Sequence, residues 1–291
     1  MAVQEPDDVT QDRLVGPSPG DSLEFETHGR MIRPALSLPH ALIDECKLRV
    51  DETGLQILAV DPANVGMIDL DIRSEAFDSF DAPDTVFGLN LDKLVSQLRT
   101  ARMGTRTSDP IALDIDSTRT KVAIEREYTT SKLHRVDAFL NLDPDSIRQE
   151  PDLPDLDLEN RASIDTLAFK DAVEHINEVG DHIGFVADGD DLVLQASSTG
   201  GKGDLNRAGV VTVEDGIVES TGGGSETLYS LDYVKDMASA LHKAKVDSVQ
   251  IAWKDEFPYC IEFERTDEDE TVLYSGRYLL APRIHQDGDS V

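Results

Sequence analysis

Apolar positions follow two rhythms along this chain, strict alternation and helical spacing, and the sequence of rhythms runs twice. Leu48-Arg-Val-Asp-Glu-Thr-Gly-Leu-Gln-Ile-Leu-Ala-Val predicts strand, turn, strand, with the turn at Asp51–Gly54. Val65, Met67, Ile68, Leu70 and Ile72 predict a further strand. Asn90 is a good helix N-cap, and Leu91, Leu94, Val95 and Leu98 fall on one face behind it. Pro110–Asp116 and Lys121–Glu125 predict a hairpin. Asn141–Asn160 then interrupts the pattern with three prolines and seven acids. Proline suits neither a helix interior nor a sheet ladder, so this stretch predicts an extended linker.

The second half repeats the grammar. Asp165 is placed to cap a helix with Leu167, Ala168, Ala172, Val173, Ile176 and Val179 inward. Ile183–Ala196 predicts strand, turn, strand, and Ser230 opens another helix. Asn90-Leu-Asp-Lys-Leu-Val and Ser230-Leu-Asp-Tyr-Val-Lys share a cap, a Leu, an Asp and an apolar seam. A β pair follows each helix, the later one being Ser248–Lys254 with Tyr259–Glu264. A duplicated α+β unit of two helices and several strands is the economical reading. The division expected is an acidic disordered arm at 1–21, one domain at 22–140, a connecting loop at 141–160, a second domain at 161–285 and a tail at 286–291.

Composition changes the picture chiefly through charge. Of 291 residues, 58 are Asp or Glu and 27 are Lys or Arg, a formal net charge of −31. The acids are dispersed through periodic apolar segments, and Lys (10) is scarcer than Arg (17), as in proteins of a high-salt cytosol. At 1 M salt the screening length is only ~3 Å, which mutes the self-repulsion. Total charge does not exclude DNA, which meets only the surface facing it. Aromatics are 5% of the chain, so the core is expected to rest on Leu, Ile, Val and Ala. Neither Cys46 nor Cys260 lies in a metal-ligand spacing, and the seven histidines are scattered, so no disulfide framework, metal site or cofactor is expected. No apolar run approaches the ~20 residues of a membrane span. Met1–Gly20 lacks the apolar stretch of a signal peptide, and a soluble cytoplasmic protein is expected.

Two enzyme readings are weak. Ser198-Thr-Gly-Gly-Lys-Gly-Asp lacks the spacing and following helix of a phosphate loop, and with Thr221-Gly-Gly-Gly-Ser reads better as turns between outer strands. The carboxylates offer a two-metal nuclease only by their abundance, with no nucleophile, base and orienter constellation.

Four stretches carry a resemblance: Val60-Asp-Pro-Ala-Asn-Val-Gly-Met, Asp143-Pro-Asp-Ser-Ile-Arg-Gln-Glu-Pro-Asp-Leu-Pro-Asp-Leu, Ser230-Leu-Asp-Tyr-Val-Lys-Asp-Met and Tyr278-Leu-Leu-Ala-Pro-Arg-Ile. In order and spacing, from about Leu23 to Ile284, they resemble PCNA-type DNA sliding clamps, particularly those of halophilic archaea. The resemblance implies an α+β clamp fold of two similar domains, closing head-to-tail into a ring of three with helices lining the hole and antiparallel sheets outside. It implies a non-enzymatic processivity factor that encircles duplex DNA without reading sequence, near the nucleoid. Polymerase, clamp loader, ligase and nuclease would dock through short peptides. The alternative is a divergent clamp-like interaction protein, a mixed-ring subunit or a monomer that titrates partners, a virus-encoded copy included.

The resemblance also implies site residues. DNA-facing candidates are Arg33, Lys93, Arg99, Arg102, Lys170, Lys235, Lys243 and Lys245. Phosphate contacts suit sliding, because base readout would arrest it. Glu174 and Glu178 depart from the basic pattern, with His40 and His242 as partial compensation. Pro34 and Pro39 fall in the first lining helix, expected to begin near Ile32, and predict a short or bent element. The partner-peptide pocket has Val60, Asn64, Val65, Pro258, Leu279, Ala281, Pro282 and Ile284 as floor and Ile147 and Leu153 as lid. Asp143, Asp145, Glu150 and Asp152 around the lid would favour basic flanks on the partner.

Overall fold

Alternating apolar residues become strands wherever one face can be buried, and among the described residues they build three antiparallel sheets in a computed structural model. The structure describes residues 16–104, 106–153, 156–197, 209–220 and 227–283. The first half runs β1 (Ser22–His28), α1 (Gly29–Ser37), β2 (Glu45–Asp51), β3 (Gly54–Val60), β4 (Gly66–Arg73), β5 (Ser79–Asp81), β6 (Thr85–Asn90), α2 (Leu91–Leu98), β7 (Pro110–Asp116), β8 (Arg119–Glu127) and β9 (Lys132–Leu140). The second runs β10 (Asn160–Asp165), α3 (Thr166–Asn177), β11 (His182–Asp188), β12 (Asp191–Ser197), β13 (Val210–Val213), β14 (Ile217–Ser220), β15 (Tyr229–Ser230), α4 (Leu231–Lys243), β16 (Ser248–Trp253), β17 (Tyr259–Thr266) and β18 (Val272–Leu280).

The order is the same in both halves, down to the strand each helix follows. It also governs pairing. The first half makes a five-stranded sheet β5-β1-β7-β8-β9. The second half makes its counterpart, β14-β10-β16-β17-β18, and this does not stop at its edge: β18 pairs with β4 and continues as β4-β3-β2-β6, giving nine strands. The four-stranded counterpart in the second half, β13-β12-β11-β15, stands apart.

The helices deviate from expectation for local reasons. α1 begins at Gly29, so Pro34 lies inside it and leaves no N–H for the Arg30 carbonyl. It ends at Ser37, and a separate turn of 3-10 helix covers Pro39–Ala41, the break that Pro39 predicts. Asn90 caps α2 by accepting from the Lys93 amide at 2.8 Å, and Asp165 caps α3 through the Leu167 and Ala168 amides. The Ser230 hydroxyl makes no such bond at α4. In α3 the buried face is Phe169, Ala172, Val173 and Ile176. Leu167 and Ala168, expected inward, are exposed, because the i, i+3, i+7 stripe starts from Phe169.

The core is less aliphatic than composition implies. Phe185, Tyr229, Trp253 and Tyr259 form an aromatic group with centroids 4.7–6.1 Å apart. Tyr278 carries its hydroxyl from β18 to the Leu38 carbonyl (2.7 Å), joining the halves beneath the broken end of α1. No helix among the described residues is long and apolar enough to cross a membrane. The proposed arm through residue 15, the tail and the Gly-rich stretches at 198–204 and 221–225 lie outside the described residues.

One buried charge fixes the end of the first half. Asp109 is fully buried and accepts from Arg102 Nε (2.7 Å), Arg126 Nη2 (2.7 Å) and the Arg102 amide (2.9 Å). Burial alone pushes its carboxyl up; the bonds from Arg126 and Arg102 outweigh this and hold it below the ordinary range. A depressed carboxylate contributes stability that is complete above its unfolded pKa of ~3.9 and is lost as pH falls through the folded value. Asp109→Asn is therefore expected to cost about 2 kcal/mol at pH 7. Thermal melts should show the gap to the parent protein closing below about pH 4.

Candidate functional site

The four helices form one layer on one side of the sheets, with α1 touching both α2 and α4, and α4 touching α3. Between α1, α2 and α4 lies a groove of about 540 Å³. Arg33, Arg99 and Lys243 line it, with His40 and Asp236. Arg33 gives Nη1 to the Ala101 carbonyl; burial and the nearby Arg99 charge lower its pKa. Thus three of the eight basic candidates converge from both halves of the chain.

The other five are placed differently. Arg102 commits its guanidinium to Asp109, and Lys170 pairs with Glu174 at 2.6 Å. Lys93 and Lys245 are exposed, and Lys235 is half-buried beside Asp236. The outer face of α3 carries Asp171, Glu174 and Glu178, so the layer is basic around the α1/α2/α4 groove and acidic along α3. His40 Nε2 lies 3.2 Å from Asp92 rather than standing free.

On the opposite side, the connecting loop crosses the outer face of the nine-stranded sheet. Leu142 bridges to Gly88 on β6; a Cβ at Gly88 would collide with the Leu142 carbonyl, so only glycine allows this approach. Ile147 is buried against the same Gly88. Arg148 Nη1 then donates to the Asp61 carbonyl at 2.8 Å. Glu150, 7% exposed at its side chain, receives Arg49 Nε at 3.0 and 3.1 Å and Arg49 Nη2 as well. Farther along, Leu156 and Leu158 pack with Met67, Ala252, Cys260 and Leu279 in a small apolar cluster of its own.

The pocket residues divide accordingly. Val60, Asn64, Val65, Ala281 and Pro282 gather where β3, β4 and β18 meet: Val60 pairs with Met67, and the Ala281 amide donates to the Val65 carbonyl at 2.8 Å. Pro258 precedes Tyr259, which pairs with Leu280. Leu279 is 5% exposed and lies under the loop, while Leu153 lines a groove of about 370 Å³ beside it. Ile147 is not with them. It sits over β6, two strands from Val60 on β3 and four from Leu279 on β18. It plugs the start of the loop instead of covering the pocket. Glu150 likewise anchors the loop and is not an open acid for a partner. Ile284 lies outside the described residues.

Asp61 is the residue that sequence reading missed. It is 3% exposed, and its carboxylate accepts from the amides of Val65 (2.6 Å), Gly66 (2.7 Å) and Ala63 (2.9 Å) and from the Tyr233 hydroxyl (2.6 Å). Burial raises its pKa, but these bonds prevail and hold it low. The β3–β4 turn is thus folded around one carboxylate, with Asn64 in the left-handed region at φ 59°. The signal was present in Asp61-Pro-Ala-Asn-Val-Gly, an Asp opening a turn through its own side chain.

Comparison with known proteins agrees with this architecture. The family described as "Proliferating cell nuclear antigen, N-terminal domain" matches residues 26–139. The DNA polymerase sliding clamp of Natronomonas pharaonis is 37% identical over 256 residues, covering 87% of this chain and 95% of that one. That of Haloarcula marismortui is 34% identical over 259 residues, covering 88% and 96%. Among solved structures, the A. fulgidus PCNA bound to the C-terminal region of FEN-1 superposes with a TM-score of 0.72 at 22% identity, covering 91% of this chain and all of that one. The PCNA2-PCNA3 complex from Sulfolobus tokodaii gives 0.72 at 23%, covering 89% and 99%. With relatives of this identity matched over nearly their whole length, the chain belongs to the PCNA family of DNA polymerase sliding clamps.

Proposed function

We propose that this chain is the subunit of a closed ring that encircles duplex DNA and tethers polymerase and other replication and repair enzymes to it. Residues 22–140 and 161–285 serve as its two clamp domains and 141–160 as the connecting loop. It acts as a scaffold at the nucleoid and catalyses nothing.

The observation that carries this reading is that the complement of the β18–β4 joint is unpaired among the described residues. β18 closes a five-stranded sheet onto the four-stranded sheet of the other half. The equivalent five-stranded edge in the first half is β9, and the equivalent four-stranded edge in the second half is β13. One chain cannot join them to each other, so the repeated joint calls for a neighbour. Strand-by-strand correspondence makes Arg135 the counterpart of Gly276 and Val211 that of Leu70, which pair within the chain. The copied register sets Leu133 opposite Val213, His134 opposite Thr212, and Val136 opposite Val210. Val136 and Val210 are 47% and 53% exposed, two apolar side chains whose exposure such a joint would relieve. Head-to-tail contacts of this kind close into a ring when the rotation per subunit closes, and the proposed assembly is the closed form. The PCNA2-PCNA3 complex of a structural neighbour supports association between chains of this fold.

The groove cations then face the hole, where exchangeable phosphate contacts permit sliding. Partner peptides dock at Val60, Asn64, Val65, Leu153, Pro258, Leu279, Ala281 and Pro282, a reading supported by the FEN-1 segment on the A. fulgidus protein.

Three outcomes test these assignments. Leu133→Asp with Val136→Asp charges the β9 edge; light scattering should fall from about three times the 31.9 kDa chain to one chain. An unchanged mass would exclude β9 from the contact, and a parent protein already of single-chain mass would favour the alternative, a mixed-ring subunit or a partner-titrating monomer. Arg99→Ala with Lys243→Ala should weaken retention on closed circular DNA equally for all sequences and reduce the salt slope by about 2. Arg49→Ala should release the connecting loop, read as several-fold faster protease cleavage within 147–158 with sheet protection retained.

A further inference from the structure

We propose that Tyr233 is a positioning residue for the partner-docking site: from helix α4 it holds the Asp61 turn in the shape that receives a peptide, linking the helix layer to the outer face of the sheet. The inference rests on the docking reading above and deepens it.

Tyr233, Asp236, Ala240 and Lys243 follow one another along α4 at spacings that share a face. The last three line the groove shared with α1 and α2, so this face of α4 meets the first half of the chain. Tyr233 contributes two things at that seam. Its ring lies on Gly66: a Cβ there would sit 3.2 Å from Tyr233 Cδ1 and 3.1 Å from Leu42 Cδ2. Its hydroxyl donates to Asp61 at 2.6 Å. The two contacts grip opposite ends of the β3–β4 turn, since Gly66 ends it and Asp61 begins it.

The Val60, Asn64 and Val65 side of the rim is set by that turn. Three of the four bonds to the Asp61 carboxylate come from the turn's own amides. The fourth comes from Tyr233, 172 residues away, and it alone ties the carboxylate to the second half. The Asp61 carbonyl receives Arg148 from the connecting loop, and the Val65 carbonyl receives Ala281 from the segment after β18. Loop and C-terminal segment therefore both bond to a turn whose carboxylate, among the described residues, takes one bond from outside the turn, that of the Tyr233 phenol. Burial, then the bond and charge of Asp61, push that phenol up to about 12, so it remains a donor at any working pH. A site held in its bound shape loses less freedom when a peptide docks. Losing the anchor should therefore weaken docking without dismantling the fold.

Tyr233→Phe isolates the hydroxyl, because the ring still covers Gly66. The full chain and the variant would be titrated with a fluorescein-labelled peptide of the FEN-1 C-terminal region, alongside hydrogen exchange and thermal melts. The expected result is about tenfold weaker binding, carried by faster release, with amide protection lost over 61–66. Protection across 231–243 and the solution mass should stay as in the parent, with a fall in melting temperature of no more than about 4 °C. Equal affinity and equal protection over 61–66 would overturn the proposal. So would protection lost across both halves with a larger fall in melting temperature, which would make Tyr233 a general stabilising residue. A parent protein that does not bind the peptide would remove the docking reading itself, a result visible before any variant is compared.

Discussion

The joint between β18 and β4 is the constraint from which the rest follows. Backbone groups of a sheet need partners, and each half of this chain makes a five-stranded and a four-stranded sheet with edges to satisfy. Pairing Tyr274–Leu280 with Gly66–Ile72 satisfies one edge of each kind and fuses the halves into nine strands. The fusion brings the β3–β4 turn beside the chain segment after β18, where the candidate docking rim lies. It also keeps all four helices on one side, since each helix packs beneath the sheets of its own half. The remaining ends of these sheets are short or covered, as with the three-residue β5 and with β6 under Leu142. The nine-residue β9, with Leu133, Val136 and Leu140 about half or more exposed, is neither.

Charge is resolved locally. A chain of net charge −31 can still present cations to a polyanion where they are grouped. Arg33, Arg99 and Lys243 are grouped by the meeting of helices from both halves, while the α3 face opposite them is acidic. Buried carboxylates meanwhile carry structural duties: Asp109 joins two arginines, Asp61 folds a turn, and Glu150 holds the connecting loop to Arg49. These acids are shielded from solvent, so salt screens them less than it screens the dispersed surface charge.

Much of this was legible in the sequence because it depends on local rules. Period-two alternation located β2, β3 and β4, Asn90 and Asp165 marked two helix starts, and Pro39 marked the end of α1. The duplicated order was visible as repeated grammar before any strand pairing was known. Nonlocal facts were not legible. Which face of α3 is buried depends on what packs over Phe169, so Leu167 was misassigned. Ile147 is a lid residue only by the resemblance, and nothing in the loop's own sequence says which strand it meets; it packs against Gly88 on β6. Arg102 looked like a free cation until Asp109, seven residues on, was folded back against it. The Asp61–Tyr233 contact spans 172 residues and leaves no pattern in either segment.

The measurement that bears most directly on the account is site-directed cross-linking at the copied register. Cys46 and Cys260 are buried, and burial pushes both thiols up to about 12, so cysteines introduced at Val136 and Val210 would be the reactive pair. A short bis-maleimide applied to this double variant in molar KCl should give covalent products of two and then three chains, ending at a closed species, while either single variant gives none. A folded double variant that yields no interchain product, or one whose products extend without closing, would contradict the claim that β9 and β13 are the two sides of one repeated joint.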